Sequence, residues 1–385
     1  MKPNRSTMPR AQRLRVACVT TYDARDVNQW SGLGYYIGKT LERHVGDVTY
    51  IGTLRDPSTI CDRIVRKAYH TFARSDYSVE RTERVGKAYA REVESRMSGN
   101  TFDVIVALGT IPVAYMTSDV PLIVYADATF ASMIGYYYTR LSKASIVDGH
   151  RMERTAYQRA ARLVFASEWA AESAMRTYGI PSERVFVLPF GPNVTDIPSR
   201  RELKKGVGDP LRLLFVGKDW ERKGGSIAYA VLRRLNDHGV RAALYIVGCD
   251  PSEVKGDPRV VVEPYLDKSN TRDAEVLRGL FTSADFFIFP TQQECFGVVI
   301  CEAFAHGLPV LTNKSGGPSS IVAHEQNGFL AEKNSVDEYV AFILGHLDRK
   351  RHQRLRDEAR HAYEMTFNWE TTGKRMHRII CDALS

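Results

Sequence analysis

The sequence predicts an α/β protein built from two doubly wound, Rossmann-like domains, and three observations lead to this fold class. The chain has 385 residues, about the length of two domains that each bury a core. Short apolar runs alternate with helical stretches along most of it, which indicates parallel sheets covered on both faces. The alternation is interrupted after Pro189 by a segment rich in proline, glycine and charge, as is typical of an interdomain linker.

The first alternation belongs to an N-terminal domain over residues 1–193. It opens with an apolar strand over 14–20, a loop that contains Gly32 and Gly34, and a helix over 35–43. The remaining elements of this domain continue the same pattern. The predicted strands cover 48–52, 104–108, 122–125, 163–166 and 185–188, and the clearest helices cover 148–161 and 168–178.

Residues 58–97 are mainly helical in pattern and combine apolar with basic side chains, such as Ile64 and Phe72 opposite Arg63 and Lys67. A basic amphipathic helix either lies on a membrane surface or packs on a core with its basic face in water. We expect the second arrangement, because it is the commoner one.

A linker over residues 194–210 precedes the second domain, which we assign to 211–366. The chain from 336 onward is predicted to be helical throughout. Its last piece, over 367–385, is expected to fold back onto the first domain. The predicted strands cover 211–216, 242–247, 260–262, 285–290 and 309–311, and the predicted helices cover 225–238, 274–282 and 296–306.

Composition and charge exclude several classes of protein. The net charge of +8 lies mostly in the N-terminal half. This is compatible with an acidic small molecule or an anionic membrane surface as partner, and equally with an ordinary, slightly basic solvated surface. No basic run or reader motif points to nucleic acid. The basic segment 1–12 has no apolar run behind it, and no stretch is apolar over ~18 residues, so we expect a cytoplasmic protein that at most touches the inner face of a membrane peripherally. Six cysteines without a C-x-x-C pair argue against a disulfide framework or a zinc knuckle.

The loop after the strand 211–216 is suited to bind an anion. It holds Lys218 and Lys223 and ends at Gly224, where a helix begins. The carboxyl end of a parallel strand faces the ligand crevice, glycine lets the backbone approach a ligand, and a helix N-terminus adds partial positive charge. A basic surface turn is the competing interpretation. The loop does not match the Walker A pattern.

Two glutamates lie eight residues apart in a later, strongly apolar segment. Glu294 precedes a predicted helix whose first turn would hold Phe296 and Gly297, and eight residues at helical rise cover ~12 Å. Glu302 lies inside an apolar run, where a carboxylate needs a partner: sugar or ribose hydroxyls, or a structural salt bridge to an arginine. For Glu294 the competing interpretation is the ordinary preference of an acid for a helix N-terminus.

Together, the lysine loop, the Glu294-x7-Glu302 spacing and Ser315-Gly316-Gly317 resemble the retaining glycosyltransferases of family 4. The resemblance is strongest over 211–332. It implies the GT-B fold, in which two Rossmann-like domains flank a cleft. It also implies transfer of a sugar from a nucleotide sugar to a sugar, glycolipid or other hydroxyl acceptor with retention of configuration, in the synthesis of cell-surface polysaccharides or glycoconjugates.

The resemblance further implies roles for the donor-binding residues. Lys218 and Lys223 would grip the donor diphosphate, with a lysine at 218 in place of the more usual arginine. Gly32 and Gly34 would approach the β-phosphate, and Glu302 would bind the ribose hydroxyls.

The donor sugar and base have implied partners as well. Glu294 would face the sugar together with the backbone N–H groups of Phe296 and Gly297. Leu266 lies where the backbone would contact the base. Asp127 takes the position at which many family members have a histidine beside the reacting sugar, which makes it a catalytic candidate together with Lys223 and Glu294.

No Asp-x-Asp motif occurs in the chain. We therefore expect no catalytic metal and no cofactor beyond the donor, with Lys223, aided by Lys218, stabilising the charge on the leaving group. The alternatives are a nucleotide-sugar epimerase or a phosphorylase on the same scaffold, and a nucleotide-binding protein without catalysis. An NAD-dependent dehydrogenase is disfavoured because no G-x-G-x-x-G follows either opening strand.

Overall fold

A computed structural model describes residues 13–203 and 206–385. These residues form two compact units, each built on a six-stranded parallel sheet. Unit 1 contains the described residues up to Pro189 together with Trp369–Ser385, and unit 2 is Phe190–Asn368. The basic segment 1–12 and the linker residues Lys204 and Lys205 lie outside the described residues.

Unit 1 is an alternation of strands and helices whose strands all run parallel in the order β2-β1-β3-β4-β5-β6. Strands β3 and β4 are buried along their whole length, as expected for apolar strands covered on both faces. The elements are β1 (Leu14–Val19), α1 (Leu33–His44), β2 (Gly46–Ile51), α2 (Ile60–Phe72), α3 (Glu83–Met97), β3 (Val104–Ala107), β4 (Leu122–Ala126), α4 (Phe130–Met133), α5 (Lys143–Arg159), β5 (Arg162–Phe165), α6 (Glu168–Tyr178) and β6 (Val185–Val187).

Unit 2 repeats the architecture with the strand order β12-β11-β10-β7-β8-β9. Its first strand, β7, lies in the middle of the sheet, and the order reverses between β7 and β10, as in dinucleotide-binding folds. The elements are β7 (Leu211–Val216), α7 (Gly225–Asp237), β8 (Ala242–Val247), β9 (Val260–Glu263), α8 (Thr271–Ser283), β10 (Phe286–Ile288), α9 (Val298–Ala305), β11 (Val310–Asn313), β12 (Gly328–Ala331), α10 (Val336–Gly345) and α11 (Arg349–Met365).

The last helix, α12 (Trp369–Leu384), packs in unit 1 against α1. The ring of Trp369 stacks on Tyr36 with centroids 6.1 Å apart. The Thr372 hydroxyl donates to the Pro189 carbonyl at 2.8 Å. This confirms the prediction that the end of the chain folds back onto the first domain. No helix in the described ranges is both long and apolar enough to cross a membrane.

Three sequence predictions for unit 2 need correction. Helix α9 begins at Val298, two residues later than expected, because Gly297 has a φ of 91° that a helix interior does not allow. The tail is three helices, and Asp348 caps the second of them by accepting from two backbone N–H groups. Strand β12 escaped prediction because it is only four residues long and is defined by its pairing with β11.

The expectation that the basic helix near residue 60 packs on a core is wrong. None of the thirteen residues of α2 is buried. The helix is held by one stacked pair of rings, Tyr69 on Tyr77 at 4.8 Å, and by an ion pair between Asp62 and Arg84. Ile60, Ile64, Val65 and Phe72 are left exposed.

Candidate active site

In unit 2 the candidate site lies where the strand order reverses. Strands β7 and β10 are hydrogen-bonded neighbours, and the chain leaves them to form the loops 217–224 and 289–297. At such a switch point the two loops diverge and leave a crevice beyond the carboxyl ends of the strands, which is where open α/β sheets bind ligands. The lysine loop and Glu294 are therefore brought together by the sheet topology.

The two loops are fastened to each other through their backbones. The Gln292 N–H donates to the Arg222 carbonyl at 2.8 Å. Gly224 caps α7 with a φ of 77°, and a Cβ there would lie 2.0 Å from the Pro290 carbonyl oxygen. Only glycine fits this position, so the end of the lysine loop is fixed against the neighbouring loop.

Lys223 and Glu294 form an ion pair across these loops, between Nζ and Oε2. Both side chains are only 14% exposed. The ammonium also lies 4.9 Å from the centroid of the Phe289 ring. A charge pair this shielded from water holds its geometry, and each charge acts in a less screened environment than at the surface.

The second lysine of the loop has a different environment. Lys218 is exposed, and its Nζ lies 5.9 Å from the centroid of the Tyr265 ring. Tyr265 precedes Leu266, which is half-buried in the loop after β9. Lys218 and the segment expected to contact the base are therefore neighbours in unit 2.

The segment around Phe296 and Gly297 is a loop rather than a helical turn. The Phe296 ring is buried and packs on Phe190 with centroids 5.0 Å apart. The Gly317 N–H donates to the Glu294 carbonyl at 3.0 Å, which ties the Ser315–Gly317 segment to this loop. Because residues 294–297 are not helical, the ~12 Å derived from uniform helical rise does not apply to the spacing of the two glutamates.

Glu302 lies on α9 and is 1% exposed. Its Oε1 is 2.5 Å from Nζ of Lys268, whose side chain is 35% exposed. A buried carboxylate requires such a partner, but the partner is a lysine rather than the arginine considered from the sequence. The sequence did not single out Lys268. The only signal was a cation in the loop that also carries Leu266.

His306 caps the other end of α9 and is buried with a neutral ring. Burial, followed by the charges of Arg278 and Arg360, lowers the pKa of His306 to about 4. The hydrogen bond to the Glu302 carbonyl raises the pKa but is outweighed by these effects. Its Nδ1 lies 2.8 Å from that carbonyl oxygen, and its ring stacks on Phe281 with centroids 5.1 Å apart. A proton added to this ring would place a positive charge in a site that is shielded from water and near two arginines.

We therefore expect unit 2 to lose stability as the pH falls from about 6.5 toward 4. The unfolded chain takes up a proton on His306 in that range and the folded chain does not, which costs about 2 kcal/mol at pH 5. Urea unfolding at pH 7.5 and pH 5 measures the difference. In a His306→Gln variant, the free energy of unfolding should fall by about 2 kcal/mol less between pH 7.5 and pH 5 than in the parent chain. His361→Gln, at an exposed position of α11, should show the same fall as the parent chain. Equal pH dependence in both variants would contradict the assignment.

The remaining predicted residues, Asp127, Gly32 and Gly34, lie in unit 1. Asp127 directly follows β4. Gly32 caps α1 with a φ of 84°, and Gly34 lies in the first turn, where a Cβ would be 2.9 Å from the Tyr22 hydroxyl oxygen. The predicted site residues thus fall into two sets, one at the carboxyl ends of each sheet.

Asp127 lines a cavity of about 310 Å³ that opens where the strand order of unit 1 reverses, between β1 and β3. Its walls combine charged groups with aromatic rings and hydroxyls. The polar and aromatic lining includes Tyr22, Trp30, Arg81, Thr110, Asp127 and Glu153. Such a lining matches the mixed apolar faces and hydroxyl edges of a sugar.

Glu153 is the centre of a buried network in the wall of this cavity. Its carboxylate accepts from the Thr110 hydroxyl at 2.7 Å, the Phe130 N–H at 3.0 Å and the Tyr157 hydroxyl at 2.5 Å. Arg81 Nη1 lies 3.6 Å from the same carboxylate. No motif in the sequence points to Arg81 or Glu153. The one available signal was that Glu153 directly follows the apolar Met152 on a predicted helix.

Comparison with known proteins identifies the family. The N-terminal part, residues 34–195, matches the sequence model described as Glycosyltransferase Family 4. Residues 210–349 match the one described as Glycosyl transferases group 1. The chain belongs to the family 4 glycosyltransferases. Its two parallel-sheet units are those of the GT-B fold.

Individual relatives of this glycosyltransferase are distant. The D-inositol 3-phosphate glycosyltransferase of Xylanimonas cellulosilytica is 27% identical over 244 residues, 57% of this chain and 57% of the relative. The amylovoran biosynthesis glycosyltransferase AmsK of Erwinia amylovora is 23% identical over 215 residues, 53% of this chain and 52% of the relative. The chain spans about half the length of the curated relatives it matches. It is thereby related to enzymes of polysaccharide biosynthesis.

A solved structure shares the fold of the glycosyltransferase over nearly its whole length. Alr3699/HepE of Anabaena, solved in complex with UDP and glucose, has a TM-score of 0.63 with 15% identity, covering 96% of this chain and 99% of that one. At this identity the likeness establishes the fold alone.

Proposed function

We propose that this glycosyltransferase moves a sugar from a nucleoside-diphosphate sugar to an acceptor hydroxyl with retention of configuration and without a metal ion. The observation that carries the proposal is the shielded Lys223–Glu294 pair at the switch point of unit 2. It places a cation and a hydrogen-bond acceptor side by side where a diphosphate and its sugar would lie.

In this proposal each residue of unit 2 acts on one part of the donor. Lys223 and Lys218 hold the diphosphate, and Lys223 stabilises the charge that develops on the leaving group. Glu294 turns toward the sugar hydroxyls. Glu302 accepts hydrogen bonds from the ribose hydroxyls, which replace part of its contact with Lys268. The backbone groups of Phe296 and Gly297 complete the sugar site, and that of Leu266 contacts the base.

In unit 1 we propose that the cavity beside Asp127 receives the acceptor. The aromatic rings and polar groups of its lining suit a sugar acceptor. One relative is named a D-inositol 3-phosphate glycosyltransferase, and another is named for amylovoran biosynthesis. We therefore propose a role in the synthesis of cell-surface polysaccharides or glycoconjugates. Gly32 would present the N-terminus of α1 to the β-phosphate, and Gly34 would keep this turn close to Tyr22.

A thermal-shift panel of nucleotides and nucleotide sugars identifies the donor. A ligand at a hundred times its Kd stabilises the folded state by about 2.7 kcal/mol, so the transition should rise by several degrees. Product analysis with and without acceptor then separates transfer from epimerisation and from binding alone.

An excess of chelator should leave turnover unchanged. Loss of turnover that Mn²⁺ restores would contradict the metal-free mechanism.

Glu302→Gln should weaken nucleotide binding by about 10- to 100-fold, because it replaces a charged acceptor for ribose hydroxyls with a neutral one. Isothermal titration calorimetry with the nucleoside diphosphate measures this. Glu332→Gln is the matched control, since Glu332 is also paired with a lysine, Lys314, but is exposed. Unchanged affinity in the Glu302 variant would rule out the ribose contact.

A further inference from the structure

Helix α2 carries the largest concentration of exposed apolar side chains in the described part of the chain. Four of the ten exposed large hydrophobic residues found there lie on this one helix. Ile60 is 72% exposed, Ile64 is 62% exposed and Phe72 is 87% exposed. Apolar side chains gathered in this way mark an interaction surface, whereas scattered ones do not.

Basic side chains border this apolar face. With 3.6 residues per turn, they occupy a sector that begins beside Ile60, on the opposite side of it from Phe72. They also line a shallow recess beside the helix, together with Asp76 and Tyr77. The four basic residues of the recess are Arg63, Arg66, Lys67 and His70.

The remaining face of α2 fixes the helix on unit 1. Tyr69 stacks on Tyr77, and Asp62, the one acidic residue of the helix, is paired with Arg84. The Thr59 side chain caps the first turn. The helix is therefore anchored on unit 1 through Tyr69 and Asp62, while its large aliphatic side chains, Phe72 and its basic side chains remain exposed.

We propose that α2 docks unit 1 on an anionic lipid bilayer. The helix lies in the plane of the interface, with Ile60, Ile64 and Phe72 at the acyl boundary and the basic residues among lipid phosphates. Two features favour a bilayer: the aliphatic and aromatic residues lie on one exposed helix, and the charged residues of that helix are basic except Asp62, which is paired with Arg84. Docking does not require the donor site, so it can be tested without nucleotide sugar or turnover.

The first experiment measures binding of the full chain to sedimented vesicles. It should bind vesicles of phosphatidylglycerol and phosphatidylcholine in equal parts, and not vesicles of phosphatidylcholine alone. Each cation near such a surface adds about fivefold to the partition coefficient, so Arg63→Gln/Lys67→Gln should lower binding by about 25-fold. Raising the ionic strength to about 1 M, where the Debye length is ~3 Å, should have a similar effect.

Two further variants separate the apolar contribution from general charge effects. Phe72→Ser should lower binding by about tenfold, because the variant lacks the aromatic ring that would leave water for the bilayer. Lys350→Gln/Arg354→Gln removes two exposed cations from α11 and should bind as the parent chain does. All of these positions are exposed, so folding should be unaffected, and circular dichroism checks this.

Cys61 reports insertion directly. It is exposed on α2, whereas the five other cysteines are buried or half-buried. An environment-sensitive fluorophore on Cys61 should shift to shorter wavelength with anionic vesicles, and a labelled Cys61→Ser chain should show no such shift. Three outcomes would overturn the proposal: no binding to anionic vesicles, equal loss in the α11 variant, or a dimer that Phe72→Ser dissociates without any vesicle binding.

Discussion

Lys223→Ala is expected to lower turnover by about 10²- to 10³-fold, the range observed when one group that stabilises developing charge is removed. Breaking the bond between sugar and phosphate leaves negative charge on the departing nucleoside diphosphate. Lys223 is the shielded cation at the switch point of unit 2, and its ammonium is already held by Glu294 and by the Phe289 ring. Steady-state kinetics with the donor identified by thermal shift measures the effect.

The matched control is Lys314→Ala. Lys314 also pairs with a glutamate of unit 2, Glu332, but both side chains are more than half exposed. An exposed pair contributes little, so this variant should keep normal turnover and stability. Lys223→Arg should recover part of the activity, because the charge is retained. Near-normal turnover in Lys223→Ala would refute the proposed role.

The partner of Lys223 provides a second check. If the pair serves only to hold the two loops together, Lys223→Ala and Glu294→Gln should have similar effects, and the double variant should be no worse than either. If Lys223 acts on phosphate and Glu294 on the sugar, each single variant removes a different contact with the donor, and the double variant should lose more activity than either. A double-mutant cycle measures this coupling.

Much of the fold was predictable because each parallel strand is a continuous apolar run between turn signals. Strands β7 and β8 have the predicted bounds, and most others differ by one or two residues. The errors arise where tertiary contacts decide local structure. Strand β12 exists through its pairing with β11, and the start of α9 depends on the backbone of Gly297. For helix α2 the helix itself was predicted, but its burial was not, because an amphipathic pattern does not reveal whether anything covers the apolar face.

The candidate site was predictable to the extent that its residues lie in motifs. The lysine loop and the two glutamates are close in sequence to strand ends, so sheet topology alone brings Lys223 to Glu294. The partners of buried charges were not predictable, because they come from distant elements. Lys268 lies 34 residues before Glu302, and Arg81 lies 72 residues before Glu153. No local pattern relates such pairs.

Glu153→Ala should destabilise unit 1 by about 3–5 kcal/mol, the cost of leaving a buried charge and its partners unpaired. The carboxylate is 3% exposed. Without it, the Thr110 hydroxyl and the Phe130 N–H lose their acceptor, and Arg81 loses its counter-charge. Burial, followed by the charge of Glu153, also raises the pKa of Tyr157, so its hydroxyl stays protonated and would lose its acceptor as well.

Urea unfolding followed by a probe in unit 1 measures this loss, with Glu172→Ala on the exposed face of α6 as the control. The control should lie within about 0.5 kcal/mol of the parent chain. Glu153→Gln preserves shape but introduces an amide donor among groups that already donate, so we expect a cost of about 1–3 kcal/mol. If Glu153→Ala were as stable as the control, the network would not be what shapes the cavity beside Asp127.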